Sequence, residues 1–147
     1  MTTNQEKIRW LKRYNILGRR VDHTWQEIER LRAQIGKITP TLSLVPAGGG
    51  SIHKSHDHDT INRLIDLVAM MDDDLNRQMD ARLEIDAVIK SVTDDRCQEL
   101  LDYRYLQGQS FEWIASVMHY SWRHTHRIHS AALDMITIAD WGDRVDR

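Results

Sequence analysis

This chain of 147 residues is poor in the residues that interrupt helices or cross-link chains. Its two prolines and seven glycines favour a mostly helical fold, because both residue types destabilise helix interiors. Its single cysteine, Cys97, excludes an internal disulfide and suits a reducing cytosol. No apolar run approaches the roughly 20 residues of a membrane span, and the N-terminus MTTNQEKIRW lacks a signal-peptide core. We therefore expect a soluble, all-α, cytoplasmic protein without a membrane partner.

Motifs of catalysis are also missing. The chain has no serine nucleophile elbow and no pair of catalytic carboxylates, and its glycine triplet 48–50 lacks the following lysine of a phosphate-binding loop. Cys97 falls in the same apolar phase as Leu100 and Leu101, which favours a place in the core over a role as nucleophile. The sequence predicts that the protein is not an enzyme and needs no cofactor.

Histidines give two hints of a metal site, and the second group, His119, His124, His126 and His129, is explained more simply by DNA contact or surface exposure. His53, His56 and His58 lie beside Asp57 and Asp59, and all five are potential ligands. A structural zinc site would need further ligands at a defined spacing, and no cysteine pair supplies them. We interpret this segment as a solvated linker and predict no metal site.

Charge is distributed unevenly, although the net charge is only −2. The stretch from Asp57 to Asp102 is rich in acidic residues, whereas the segment up to Lys37 and the helix predicted from Ser121 are basic. This split suits a protein with one DNA-binding face and one solvated or partner-binding face. We interpret the run Asp72–Asp74 as an exposed helix face.

The N-terminal region, residues 1–92, is predicted to form long helices used for oligomerisation. Residues 3–37 have apolar side chains at three- and four-residue steps, with Trp25 expected in the core. Residues 38–56 form a linker containing Pro40, Pro46 and the glycine triplet. Residues 57–91 predict one long helix, capped by Asp57 or Asp59. Its apolar stripe comprises Leu64, Val68, Met71, Leu75, Met79 and Leu83.

These helices can bury their apolar stripes in two ways. One is an antiparallel helical hairpin within a chain, and the other is coiled-coil-like pairing with a second copy. We expect a homodimer formed through residues 3–90, because two linked DNA contacts bind more strongly than one.

Residues 93–138 predict three short helices, followed by a tail at 139–147. Thr93 or Asp94 caps the first helix, which ends at Gly108, where glycine tolerates a left-handed backbone. Ser110 caps the second helix and Ser121 caps the third, which runs from 121 to 138. The order of these helices is typical of a helix-turn-helix.

The third helix has a basic outer face. The spacing of Thr125, Ile128, Ala132 and Ile136 places them on one side of the helix, which we expect to face the core. The side chains left outside are Trp122, Arg123, His126, Arg127 and His129. No acidic residue occurs between Glu112 and Asp134, so this helix would not repel phosphate. We expect it to enter a DNA major groove, with Arg123 and Arg127 as the leading contacts and with Trp122 either contacting DNA or packing.

The run LLDYRYLQGQSFEWIASVMHYSWRHTHRIHSAAL resembles region 4 of the sigma-70 type factors. It is more similar still to small phage and prophage transcriptional regulators of the ArpU type. The positions that match the shared pattern are Leu101, Arg104, Tyr105, Gly108, Ser110, Phe111, Ile114, Ala115, Met118, Tyr120, Ser121, Thr125, Arg127, Ile128, His129, Ala132 and Leu133. The resemblance covers the last third of the chain and implies DNA contacts by Trp122, Arg123, His126 and Arg127.

The expected function is therefore a phage or prophage transcriptional regulator that acts in a bacterial host cell. Ser121 and His124 adjoin the implied contacts, and Ser110 with the amides after it suits a phosphate, because a helix N-terminus favours anions. The expected partners are double-stranded DNA and, by the resemblance, host RNA polymerase at late promoters. No segment resembles the sigma region that melts DNA, which argues against a complete sigma factor.

Two other functions remain open from the sequence. A DNA-packaging protein of the small-terminase type also joins a helix-turn-helix to oligomerising helices, and it would form rings larger than a dimer. A module that binds polymerase or sigma factors without strong DNA affinity would fit the modest net charge. The DNA target and the choice between activation and repression stay undetermined.

Overall fold

The computed structural model describes residues 2–42 and 51–138, with side chains described for 2–36 and 58–138. Across these ranges the protein is all-α, as predicted, and contains no strand. The elements are α1 (Asn4–Leu11), α2 (Arg13–Leu42), α3 (Ser51–Lys90), α4 (Asp95–Leu101), a π-helical turn (Asp102–Leu106), α5 (Phe111–Met118) and α6 (Trp122–Met135). None of the helices in the described ranges is both long and apolar enough to span a membrane.

The chain divides into two compact units. One, here called the core unit, combines Met1–Leu17 with Gln78–Arg147, and the other, the paired-helix unit, is Gly18–Arg77. The long helices α2 and α3 each contribute to both units. The predicted tail 139–147 lies outside the described residues.

Within the paired-helix unit, α2 and α3 run antiparallel. Arg20 pairs with Asp74 at 3.2 Å, and Glu27, further along α2, pairs with Arg63, which lies earlier on α3, at 2.9 Å. This is the hairpin arrangement, the first of the two that the sequence allowed. The described residues that this unit buries are few, namely Thr24, Ile28, Leu67 and Asp74.

The predicted linker 38–56 is too long, because helix occupies both of its ends. α2 continues through Pro40 to Leu42, and α3 already begins at Ser51. A proline in the last turn of a helix removes one N–H donor and crowds the carbonyl four residues before it, and α2 ends two residues after Pro40. Asp57 and Asp59 therefore lie inside α3 rather than capping it. Residues 43–50, with Pro46 and the glycine triplet, lie outside the described residues, as do the side chains of His53 and His56.

The predicted apolar stripe of α3 is not its buried face. Four of its six members, Val68, Leu75, Met79 and Leu83, are exposed, and Leu64 and Met71 are half-buried. The buried row instead begins with Leu67 and Asp74, about 120° around the helix from the exposed row. α3 carries two apolar rows, and periodicity alone does not show which one faces α2.

Two further expectations about the paired-helix unit are wrong. Trp25 was expected in the core but is 47% exposed. Asp72 and Asp73 are exposed as predicted, whereas Asp74 is buried, because it pairs with Arg20 across the hairpin. A buried carboxylate needs such a partner to offset its lost hydration.

The core unit packs α1, the end of α3, α4, the π-helical turn, α5 and α6 around one apolar cluster. Its fully enclosed side chains include Leu11, Ile85, Leu100, Leu101 and Ile114. Cys97 is buried, as predicted, and its thiol donates to the carbonyl of Ile128. Burial raises the pKa of this thiol, which does not favour a nucleophilic role.

The first helix of the C-terminal module is capped by Asp94, whose carboxylate accepts from the amides of Arg96 and Cys97. It does not stay α-helical up to Gly108 as expected, because its last turn, Asp102–Leu106, is π-helical. The wider π turn brings residues five apart onto one side, so Tyr105 and Leu106 are buried one turn beyond Leu100 and Leu101. Gly108 then adopts the predicted left-handed conformation, with φ of 72°.

Candidate nucleic-acid interface

Helices α5 and α6 begin where their serine caps predict. The hydroxyl of Ser110 accepts from the amide of Trp113 at 3.2 Å, and that of Ser121 accepts from the amide of His124 at 3.1 Å. Between the two helices lie only residues 119–121, and His119 takes a left-handed conformation with φ of 57°. These local signals fix where α6 starts and which way its chain leaves α5.

α6 ends at Met135, three residues before the predicted end. Ile136 is extended, with ψ of 129°, and both Ile136 and Ile138 are buried. The chain leaves the helix because these two side chains reach the core from an extended segment.

The buried face of α6 agrees with the prediction for Thr125, Ile128, Ala132 and Ile136, all of which are buried. His129 is the exception: it was assigned to the outer face but is only 7% exposed. Its Nε2 lies 2.7 Å from the hydroxyl of Tyr105, at the π-helical turn. A histidine with a hydrogen-bond partner in the core can occupy a position that an apolar residue would otherwise fill.

Burial keeps both members of this pair uncharged at neutral pH. It lowers the pKa of His129 to about 4, and the positive charges of neighbours such as Arg104 and Lys12 act in the same direction. It also raises the pKa of the Tyr105 hydroxyl to about 12. The pair joins α6 to the π-helical turn and takes no direct part in a surface.

A row of side chains in contact, three of them aromatic rings tilted against each other, connects the start of α5 with the first turns of α6. The guanidinium of Arg104 lies 4.3 Å from the centre of the Phe111 ring. Phe111 lies 4.5 Å from His126, which in turn lies 3.8 Å from Trp122, measured between ring centres. The buried Nε2 of His126 has no hydrogen-bond partner among the described residues.

The predicted contact residues Trp122, His124 and His126 therefore all pack against other rings. His124 meets Tyr120 edge-on, with ring centres 4.7 Å apart, and is half-buried, as is His126. Trp122 keeps 58% of its surface exposed despite its contact with His126. These three side chains flank the outermost line of α6 rather than forming it.

That outermost line consists of Arg123, Arg127 and Ser130, here called the α6 ridge. Their spacing of four and three residues places them on one side of the helix, and all three are exposed. Neither arginine has a carboxylate partner among the described residues. Asp134 ends the ridge, and its carboxylate accepts from the side-chain amide of Asn4 at 3.3 Å.

Residues distant in the chain hold this region in place, and the sequence did not reveal them. The Lys7 ammonium donates to the carbonyl of Leu133 at 2.7 Å, near the C-terminus of α6. The Asn15 amide donates to the carbonyl of Tyr105 at 3.2 Å. Local patterns contain no signal for contacts of this range. Arg104, by contrast, stood at a position that the resemblance matched.

Comparison with known proteins gives no match, so the functional assignment depends on the geometry described above. No protein-family model, curated protein or solved structure matches the chain. In the described ranges, no three His, Cys, Asp or Glu side chains are placed to hold a metal ion together. What the C-terminal module offers chemically is an exposed cationic ridge on a capped helix, flanked by aromatic and imidazole rings.

Proposed function

We propose that this protein is a sequence-specific DNA-binding transcriptional regulator, encoded by a phage or prophage, which acts in the cytoplasm of a bacterial host. In this proposal α5 and α6 form a helix-turn-helix, and α6 enters the major groove. The observation that carries it is the α6 ridge, where Arg123 and Arg127 are exposed and have no carboxylate partner in the part of the chain that the structure describes. Internal pairing or burial of these arginines would have removed the argument.

The dimensions and chemistry of α6 suit this role. A helix about 10–12 Å across fits a major groove about 12 Å wide. Arg123 and Arg127 are one turn apart, about 6 Å along the axis, so both side chains reach the same short stretch of bases. Arginine donates two parallel hydrogen bonds to guanine, which makes guanine the preferred base at both positions. Ser130 adds a hydroxyl that either donates or accepts.

The remaining predicted contacts take positions beside the ridge. Ser121 and Ser110 stand at the N-termini of α6 and α5, where free amides and the helix dipole attract a phosphate. The exposed part of Trp122 is available to a sugar or a thymine methyl group. His124 and His126 support this surface through their ring contacts with Tyr120 and Trp122.

Transcriptional control requires more than this small contact. A reading helix with two exposed arginines neutralises few phosphates, so its affinity for DNA alone is modest. A partner at the promoter would supply the rest, and the resemblance to regulators that assist host RNA polymerase at late promoters names one. We therefore propose polymerase as a second partner of the full chain.

The decisive experiment selects bound fragments from random DNA and then compares Arg127→Ala with the wild type on the selected site. If Arg127 contacts a base, affinity falls by about 1–3 kcal/mol, or roughly 5–150-fold, and selectivity at one base pair is lost. If it contacts a phosphate, all sequences weaken alike and the salt dependence becomes shallower.

Arg77→Ala is the matched control, since Arg77 is also exposed but lies on α3, paired with Asp73. It should leave the affinity unchanged. An unchanged affinity for Arg127→Ala would show that α6 is not the reading helix. Binding of polymerase without affinity for any DNA would instead support the interaction module, and rings larger than a dimer would support the packaging protein.

A further inference from the structure

The paired-helix unit leaves an apolar row of α3 uncovered. Ile61, Ile65, Val68 and Leu75 lie on one side of the helix, and the last, the least exposed, is still 37% exposed. Leu64 and Met71, both half-buried, continue this surface toward α2. These residues, here called the α3 seam, lie within Gly18–Arg77, whereas Met79 and Leu83, which are exposed on the same helix, belong to the core unit.

A helix pair with so little buried surface needs a further layer. The four described residues that the unit buries include only two large apolar side chains, Ile28 and Leu67. Secondary structure is stable when its apolar faces are covered by another layer, and small units that bury little surface commonly oligomerise. The occupant that is always present with this chain is a second copy of it.

The charge of Asp72 favours antiparallel over parallel pairing of α3 with the same helix of a second copy. Asp72 is exposed within the seam and has no cationic partner among the described residues. Parallel, in-register pairing would place two Asp72 carboxylates against each other, which is unfavourable. Antiparallel pairing about Ile65 instead places Asp72 of each copy opposite His58 of the other, because both lie seven residues, two helical turns, from Ile65.

In the same register the two Ile65 side chains meet at the axis, Val68 lies opposite Asn62, and Leu75 extends beyond the pairing of Asp72 with His58. Ile61 of one helix meets Ala69 of the other, and this small side chain permits close approach of the helices. A histidine opposite a carboxylate donates a hydrogen bond when neutral and forms an ion pair when protonated. Centring the pair on Val68 would instead place Asp72 opposite Leu64, where nothing offsets its charge.

We infer that the α3 seam binds a second copy of this chain, antiparallel, with Ile65 at the twofold axis and Asp72 facing the second copy's His58. This inference goes beyond the proposed DNA binding and does not depend on it. The paired stretch from 58 to 72 extends about 21 Å. A contact of this size gives a weak, concentration-dependent dimer, with a Kd on the order of micromolar.

Cysteine cross-linking of the full chain tests the register. Under mild oxidation, I65C should form a disulfide-linked dimer, because the two positions face each other at the axis. I61C should not, because its two copies lie about 12 Å apart along the axis, beyond the reach of a disulfide. Cys97 is buried and should not interfere. Equal cross-linking of I61C and I65C, or none with I65C, would overturn the register.

Sedimentation over about 1–300 μM protein tests the dimer itself. The wild type should shift from monomer to dimer as its concentration rises, whereas Ile65→Glu should stay monomeric. Met70→Glu is the matched control, since Met70 is 47% exposed on the same helix but about 140° away from Ile65. A wild type that stays monomeric throughout, or equal loss of dimer in both variants, would overturn the inference.

DNA titration separates the two proposals. At concentrations below the dimer range, Ile65→Glu and the wild type should bind a single half-site alike, and Arg127→Ala should still weaken both. Loss of the Arg127 effect with the dimer intact would refute only the DNA interface. Intact DNA binding by a protein that never dimerises would refute only the seam.

Discussion

The core unit and the paired-helix unit are both helical, but they are stabilised differently. The core unit encloses a cluster of seventeen buried side chains drawn from helices at both ends of the chain. The paired-helix unit buries few described residues and relies on ion pairs such as Arg20–Asp74 and Glu27–Arg63 across its two helices. The comparison shows that the amount of helix in a region says little about how firmly that region is packed.

The two units also differ in how they combine charged and apolar surface. In the core unit, the outermost line of α6 carries Arg123 and Arg127, and exposed apolar side chains such as Trp122 and Met135 lie on the same helix. In the paired-helix unit, large apolar side chains such as Trp25 and Ile65 stay exposed above only a few buried described residues. Exposed apolar surface therefore occurs in both units, and what distinguishes the paired-helix unit is how little described apolar surface lies buried beneath it.

The difference in packing between the two units is tested most directly by replacing one buried isoleucine in each unit with alanine. Ile85→Ala in the core unit should lower the free energy of unfolding by about 2–5 kcal/mol, because its neighbours are enclosed and cannot close the cavity. Ile28→Ala in the paired-helix unit should cost less, about 1–2 kcal/mol, because half-exposed neighbours can relax. Urea unfolding followed by circular dichroism measures both, and equal costs would contradict the distinction.

Mild acid should act on the core unit through His129. Its pKa in the folded protein, about 4, lies below the value of about 6.5 expected on unfolding, so the unfolded chain takes up the proton first. The contribution of neutral His129 to the free energy of unfolding is therefore fully present above pH 6.5. It is lost as the pH drops toward 4, by about 3 kcal/mol in all.

A His129→Leu variant isolates this effect from the titration of carboxylates. The difference in unfolding free energy between wild type and variant, measured from pH 7 to pH 4.5, should change in favour of the variant. A pH-independent difference would show that His129 is not buried in its neutral form.

The smallest expected effect concerns the start of α6. Ser121→Ala removes the hydroxyl that accepts from the amide of His124, and should cost about 1 kcal/mol. Ser130→Ala, on the exposed side of the same helix, should be neutral or slightly stabilising, because alanine has the higher helix propensity. Thermal unfolding of the two variants makes the comparison, and identical melting temperatures would contradict a cap at Ser121.

Signals within a few residues of each other predicted the C-terminal module well. Asp94, Ser110 and Ser121 each cap the helix expected of them, and Gly108 has the expected left-handed backbone. Each of these depends on one side chain and the backbone beside it. The boundaries of the predicted linker failed, because helix ends also depend on contacts that local composition does not contain.

Burial was harder to predict than helix position. His129 and Asp74 were assigned to the surface, yet each finds a partner far along the chain, at Tyr105 and Arg20 respectively. Trp25 was assigned to the core because it falls in the apolar periodicity of residues 3–37, yet it is exposed. A side chain's environment depends on what packs against it, and no window of sequence contains both partners.

The sequence by itself determined an all-α protein, the capped starts of α5 and α6, and the line of arginines on α6, because each follows from helix periodicity and neighbouring residues. Only the tertiary structure decided which row of α3 is buried, that His129 belongs to the core, and that the rings of Trp122 and His126 contact each other beside the ridge. These outcomes depend on long-range packing, in which a face is selected by the surface it meets.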